Sequence, residues 1–279
     1  MKKYFQTVIR PKNNIFDLNL GELFASRELV WLFVKRNFLT TYKQTILGPL
    51  WYLISPLITT LIFTIVFGNI AKLSTDGMPQ FLFYMSSNIL WTYFSSCLTK
   101  NSNTFSSNAH LFGKVYFPRL IMPISTSISA MINLAVQFLL YICFVIYYTS
   151  VGAIAPNIYV LLTPVLIIMC ALLSIGIGAI VSSLTTKYRD LSVLVTFGVQ
   201  LWMYLSPIVY PASQISPRYI NLFMLNPIAP IIEAFRYAFL GMGMFSWAYL
   251  GISALIIILL FAIGLIIFNK VEKTFMDTI

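Results

Sequence analysis

The chain alternates long apolar runs without a single charge and shorter segments that hold all of its Lys, Arg, Asp and Glu. The uncharged runs cover residues 44–71, 77–99, 120–186, 191–217 and 237–269, which are 28, 23, 67, 27 and 33 residues long. Crossing a hydrocarbon core of about 30 Å at about 1.5 Å per residue takes about 20 helical residues. Each run is long enough for one span, and the longest for two, with the stretch at 149–157 (TSVGAIAPN) as the turn between them. The pattern predicts six helical spans, at 49–70, 81–98, 121–147, 158–184, 191–210 and 247–268. The expected fold class is an all-α polytopic membrane protein. Residues 1–46 form its cytoplasmic N-terminal segment, and 47–279 its six-span transmembrane domain.

Two further segments are patterned without being simple spans. At 100° per residue, Glu28, Lys35, Arg36 and Lys43 of the stretch 26–45 share an arc of about 100°, although Leu32 and Leu39 interrupt it. Val30, Trp31, Val34, Phe38 and Tyr42 cover the opposite flank. This predicts an amphipathic helix lying in the cytoplasmic membrane interface, its Lys and Arg stems reaching towards headgroups. A cytoplasmic helix packed on the spans is the alternative. Gly48–Pro49 supplies a break after it, because the residue before a proline is pushed out of the α region and proline suits the first turn of a helix. The second segment, 211–246, is apolar but broken by Pro211, Pro217, Pro227, Pro230, Gly241 and Gly243. A pair of short external re-entrant helices between spans five and six is expected there. Glu233 and Arg236, three apart, are placed to pair with each other on its second half, whether as local neutralisation or facing a substrate.

Composition narrows the function class. Hydrophobic residues make up 59% of the chain and charged residues 9%, against about 45–50% and about 25% in soluble proteins. That excludes both a soluble domain and a disordered chain. The net charge of +10 raises nucleic-acid binding, but the position of the cations removes it. Fifteen of the 18 Lys and Arg fall in the N-terminal segment, the second and fourth loops and the tail, while Lys72, Arg218 and Arg236 lie on the other side. By the positive-inside rule both termini are cytoplasmic. The N-terminus has no apolar core of signal-peptide type, and Cys97, Cys143 and Cys170 fall within spans with no C-x-x-C pair.

Catalytic chemistry finds little to work with. The single histidine, His110, sits in a cytoplasmic loop, so no His-based metal site or Ser/His system is expected. No carboxylate falls mid-span, where an ion-coupled carrier keeps one, and Gly113–Lys114 lacks the upstream glycine of a P-loop. The chain is expected to bind no cofactor and to be no enzyme; if ATP drives it, another chain binds the nucleotide. Among 23 Phe, 16 Tyr and 5 Trp, most serve as interfacial anchors or packing. Phe63, Trp91, Phe197 and Trp202 lie too deep for a belt. They are candidates for lining a conduit along which sugar faces slide, with plain packing as the alternative.

Five motifs in order carry a resemblance. These are 42–51 (YKQTILGPLW) followed by Ser55 and Pro56, 114–119 (KVYFPR), 188–191 (YRDL), 204–211 (YLSPIVYP), and Asn226–Pro227 with Glu233 and Arg236. From about residue 20 to 273 the chain resembles the polysaccharide-exporting ABC-2 type permeases, the membrane subunits of O-antigen, teichoic acid and capsule exporters. The resemblance implies a homodimeric pore in the cytoplasmic membrane. It pairs with two copies of a separate P-loop nucleotide-binding subunit that holds ATP and Mg. Lys114, Tyr116, Phe117, Pro118 and Arg119 would couple the loop to that subunit, with a positive-inside clamp as the alternative for Lys114 and Arg119. The substrate implied is a glycan or polyol phosphate on undecaprenyl pyrophosphate, whose head suits Arg36 and Lys43 electrostatically. An ABC-2 exporter of drugs or lipids and an ATP-independent lipid flippase are the competing functions.

Overall fold

A computed structural model describes residues 20–43, 47–115, 117–188 and 190–274. Every regular element among these residues is helical: α1 (Leu20–Ala25), α2 (Arg27–Tyr42), α3 (Trp51–Phe63), α4 (Gln80–Asn101), α5 (Thr104–Phe112), α6 (Ile121–Ser150), α7 (Thr163–Thr185), α8 (Leu191–Tyr204), α9 (Ile220–Met224), α10 (Ile228–Leu240) and α11 (Trp247–Thr274). A π-helical turn, Thr64–Ile70, continues α3, and a 3-10 turn, Ile158–Leu162, leads into α7. The cations expected at 1–19, together with Arg189, lie outside the described residues.

Among the described residues, four helical stretches are long and apolar enough to cross a membrane: Trp51–Ile70, Ile121–Ser150, Ile158–Thr185 and Trp247–Glu272. They match the first, third, fourth and sixth expected spans to within a few residues. The other two differ from expectation in instructive ways. At about 33 Å, α4 has the length of a span, but Ser86, Ser87, Asn88, Thr92, Ser95, Ser96 and Thr99 make it too polar to stand in lipid by composition. Its surroundings explain this. Leu82 to Trp91 are all buried, because α3, α6, α7, α8 and α10 pack around α4. Ser86 and Ser87 donate to the Phe83 carbonyl at 2.8 and 3.1 Å, so their hydroxyls are satisfied inside the helix. The expected fifth span, 191–210, stops as α8 at Tyr204. Ser206 precedes Pro207 there, a position that disfavours helix, and the remaining 14 residues reach only about 21 Å.

α7 and α11 cross with their backbones close together. A Cβ on Gly264 would sit 2.3 Å from the Gly176 carbonyl oxygen, and one on Gly176 would sit 2.7 Å from the Phe261 Cα. Bare backbone on both helices is what permits this approach. In an apolar setting, where burial alone does not drive helices together, such contact maximises dispersion and holds the pair.

The stretch expected as an interface helix is helical over Arg27–Tyr42, and the face it turns inward differs from the expected one. α2 ends at Tyr42, and after residues 44–46, which lie outside the described residues, the chain turns at Gly48 with φ +48° into the 3-10 turn Gly48–Leu50 and then α3. Phe33 and Val34 are buried against the bundle, and Asn37 Nδ2 donates to Ser129 Oγ of α6 at 3.5 Å. Trp31, expected on the same flank as Val34, points outward instead and is 66% exposed; Leu32 and Leu39 join it. One face of α2 is therefore packed on protein, and a second apolar face is left uncovered.

Candidate functional site

At the end of the bundle where α4, α7 and α11 finish and α3 and α6 begin, five phenylalanines connect four chain segments. Phe33 of α2 meets Phe117 at 5.6 Å between centroids, Phe117 meets Phe112 at 5.7 Å, Phe112 meets Phe105 at 6.0 Å, and Phe105 stacks on Phe268 of α11 at 4.5 Å. The Arg119 guanidinium lies 5.3 Å from the Phe112 ring centre and donates to the Glu272 carbonyl oxygen, while its backbone N–H donates to Glu272 Oε1. The expected coupling residues are thus split by their surroundings. Phe117 and Arg119 are buried and clamp the loop to α2, α5 and α11; Pro118 is half-buried; Lys114 is exposed beside Val115. Tyr116 lies outside the described residues. Phe117→Leu should lower stability by about 1–2 kcal/mol, a typical cost for a buried side chain that loses ring packing. A thermal midpoint in detergent checks it, and an unchanged midpoint would show that the cluster does not hold the loop.

A polar cleft of about 440 Å³ opens beside this cluster, between α2, the first turns of α3 and α6, the end of α4 and α5. Arg36 and Lys100 both line it, with Asn37, Asn103, Thr126 and Asn133. The Arg36 guanidinium lies 4.7 Å from the Phe33 ring centre and donates to Asn37 Oδ1 at 3.3 Å. Its partial burial pushes its pKa below the ordinary guanidinium value through desolvation. Neither Arg36 nor Lys100 has a carboxylate partner among the described residues. Lys43, paired with Arg36 in the sequence reading, is an exposed residue at the end of α2 and does not line the cleft. Lys100 escaped the sequence reading because it counted only as a topology cation. Its one local signal is the run of Ser, Thr and Asn around it at 95–108.

At the opposite end, Glu233 and Arg236 of α10 do pair, at 2.8 Å, with both side chains 0–1% exposed. Arg236 also donates from Nη2 to Ser87 Oγ of α4 and to the Pro207 carbonyl, and lies 3.8 Å from the Phe83 ring centre. Glu233 accepts the N–H of Ala212 at 3.0 Å through Oε1 and that of Met244 at 3.3 Å through Oε2. The pair ties α4, the turn after α8, the start of the 211–246 segment and the approach to α11 into one knot. Asn157, in the turn before α7, donates through its backbone N–H and Nδ2 to the Ala238 and Tyr237 carbonyls, so the end of α10 is held as well.

The four deep aromatics do not form one row. Trp91 and Trp202 both meet Phe94, at 5.5 and 5.3 Å, and Trp202 Nε1 donates to Asn226 Oδ1 at 2.9 Å. Phe63 packs on Phe67 and Tyr84, and Phe197 projects from α8, 57% exposed. Trp202 with Tyr219, Phe223 and Asn226 lines an open apolar cleft of about 590 Å³ on this end.

The sequence pattern of the ABC-2 type transporter family matches residues 28–240. An O-antigen export system permease protein RfbA of Klebsiella pneumoniae is 28% identical over 260 residues, covering 93% of this chain and 96% of its own length. The RfbA permease of Myxococcus xanthus is 25% identical over 221 residues, 78% of this chain and 82% of its own. The polysialic acid transport protein KpsM of Escherichia coli is 23% identical over 247 residues, 87% of this chain and 93% of its own. With most of its length matched and its long apolar helices in place, the chain is a multi-pass membrane protein that belongs to the ABC-2 type transporter family.

Proposed function

We propose that this protein is the membrane subunit of an ATP-driven exporter that carries a polysaccharide, attached to an undecaprenyl pyrophosphate lipid, out of the cytoplasm. The observation that carries the reading is the similarity to O-antigen export permeases along 93% of the chain, supported by the similarity to a polysialic acid transport protein. The subunit makes and breaks no bond in its cargo. It offers a path whose gates respond to the state of a partner ATPase, which biases the equilibrium between its conformations. In this reading α4 and α8 complete six spans, with α8 extended by its neighbours, and α9 and α10 form the external re-entrant pair. Two copies build the pore in the cytoplasmic membrane with both termini inside, and two P-loop subunits bring ATP and Mg. The basic end of the bundle then faces the cytoplasm, as the positive-inside rule asks.

Pulling the tagged chain down in mild detergent should bring a P-loop ATPase with it in equal amount. Transport that persists without ATP, with no such partner, would sink the proposal. The exposed Lys114 provides a sharper test of the docking loop. Lys114→Glu reverses a charge where the loop faces outward, so the co-purified ATPase should fall several-fold while the thermal midpoint of the chain stays in place. If Lys114 serves only topology, the yield of ATPase will match the wild type.

A further inference from the structure

The structure points to the polar cleft beside α2 as the docking site for the head of the substrate, a diphosphate with its first sugar. Arg36 and Lys100 are the two cations that hold the phosphates. The inference rests on the export function proposed above and adds to it a place and a residue.

Three features support it. The first is charge. Arg36 from α2 and Lys100 from the last turn of α4 line one cleft, and neither has a counter-ion among the described residues. Arg36 is partly buried and Lys100 exposed at the rim, and a diphosphate carries enough negative charge to meet both. The guanidinium grips planar pairs of phosphate oxygens bidentately and the ammonium acts as a point charge. The second is the lining. Asn37, Asn103, Thr126 and Asn133 present amide and hydroxyl groups of the kind that bond sugar hydroxyls. A volume of about 440 Å³ lies in the range of about 300–1,000 Å³ typical of small-molecule sites.

The third feature is location. A head that stays joined to its lipid has to dock near the ends of the membrane-crossing helices, and the cleft is bounded by Tyr52 and Met122 in the first turns of two helical stretches apolar enough to cross a membrane. Trp31, Leu32 and Leu39 on the same helix as Arg36 leave an uncovered apolar surface that suits an isoprenoid chain lying alongside.

The test uses the full complex with its ATPase, in phosphatidylethanolamine nanodiscs containing radiolabelled undecaprenyl diphosphate. Arg36→Gln and Lys100→Gln should each weaken lipid binding several-fold, and the double variant at least tenfold, with thermal midpoints unchanged. Lys35→Gln, an exposed cation on the same helix outside the cleft, should bind as the wild type does. Inorganic pyrophosphate should displace the lipid where orthophosphate at the same concentration does not. The inference fails if the double variant binds normally, if Lys35→Gln weakens binding as much, or if phosphatidylglycerol competes as well as the diphosphate lipid does. A wild type that co-purifies its ATPase and transports, but whose double variant binds normally, refutes the cleft alone. A wild type without an ATPase partner refutes the export reading itself.

Discussion

Arg236→Met should lower the stability of the purified chain by about 3–5 kcal/mol, the usual consequence of removing one partner from a buried ion pair. The reason lies in what the substitution leaves behind. Glu233 is 1% exposed, and without the guanidinium its carboxylate keeps only the N–H groups of Ala212 and Met244. The Pro207 carbonyl and Ser87 hydroxyl lose their donor at the same time. Glu233→Gln should be comparably harmful, because the amide can replace one acceptor oxygen but turns an N–H group towards a backbone N–H. In the double variant the stranded charge disappears, so its loss should be clearly smaller than the sum of the two single losses. Thermal unfolding followed by size-exclusion fluorescence reads all three. Additive losses would mean that the two residues act separately and that the knot described around α10 is not a unit.

The second large effect is steric. Gly264→Leu should prevent the tight pairing of α7 and α11, and even Gly264→Ala should be destabilising, by about 1–3 kcal/mol as for other overpacked sites. The obstruction is backbone, not the flexible tip of a side chain: the new Cβ would lie 2.3 Å from the Gly176 carbonyl oxygen. The same helix contains its own control. Gly251 has nothing within 4 Å of a built Cβ, so Gly251→Ala should be neutral or stabilising by up to about 1 kcal/mol, the intrinsic helix preference for alanine. Equal midpoints for the two alanine variants would remove the close crossing from the account of the fold.

The parts of this fold that could be read from the chain were those governed by length and charge. Apolar runs located the helices because a span has a minimum size, and the helix break at Gly48 was visible because glycine and proline restrict or release particular backbone angles. The Glu233–Arg236 pair was legible from its i,i+3 spacing. Its burial and its outside partners were not, because Ala212, Met244, Ser87 and Pro207 are brought to it by tertiary packing. The outward turn of Trp31 was hidden for a similar reason: Phe33 and Phe117 decide which face of α2 is buried, and their contact spans 84 positions of sequence. Lys100 was obscured by its own category. A lysine expected at the cytoplasmic end of a span satisfies the topology rule wherever its side chain points, so only the packing of α2 across the bundle reveals that it shares a cleft with Arg36.

The polarity of α4 has a consequence for biosynthesis. Synthesis proceeds from the N-terminus, so α4 leaves the ribosome before α6, α7 and α10, which later cover it. During that interval Ser86, Ser87 and Asn88 have none of these neighbours. Serine hydroxyls bonded to the Phe83 carbonyl lower the cost of meeting lipid early. Asn88, which accepts only a long 3.5 Å contact from Thr92, has no such protection. In the proposed six-span arrangement, stable insertion of α4 waits for downstream helices, and a nascent chain truncated before α6 should leave α4 poorly retained in the bilayer.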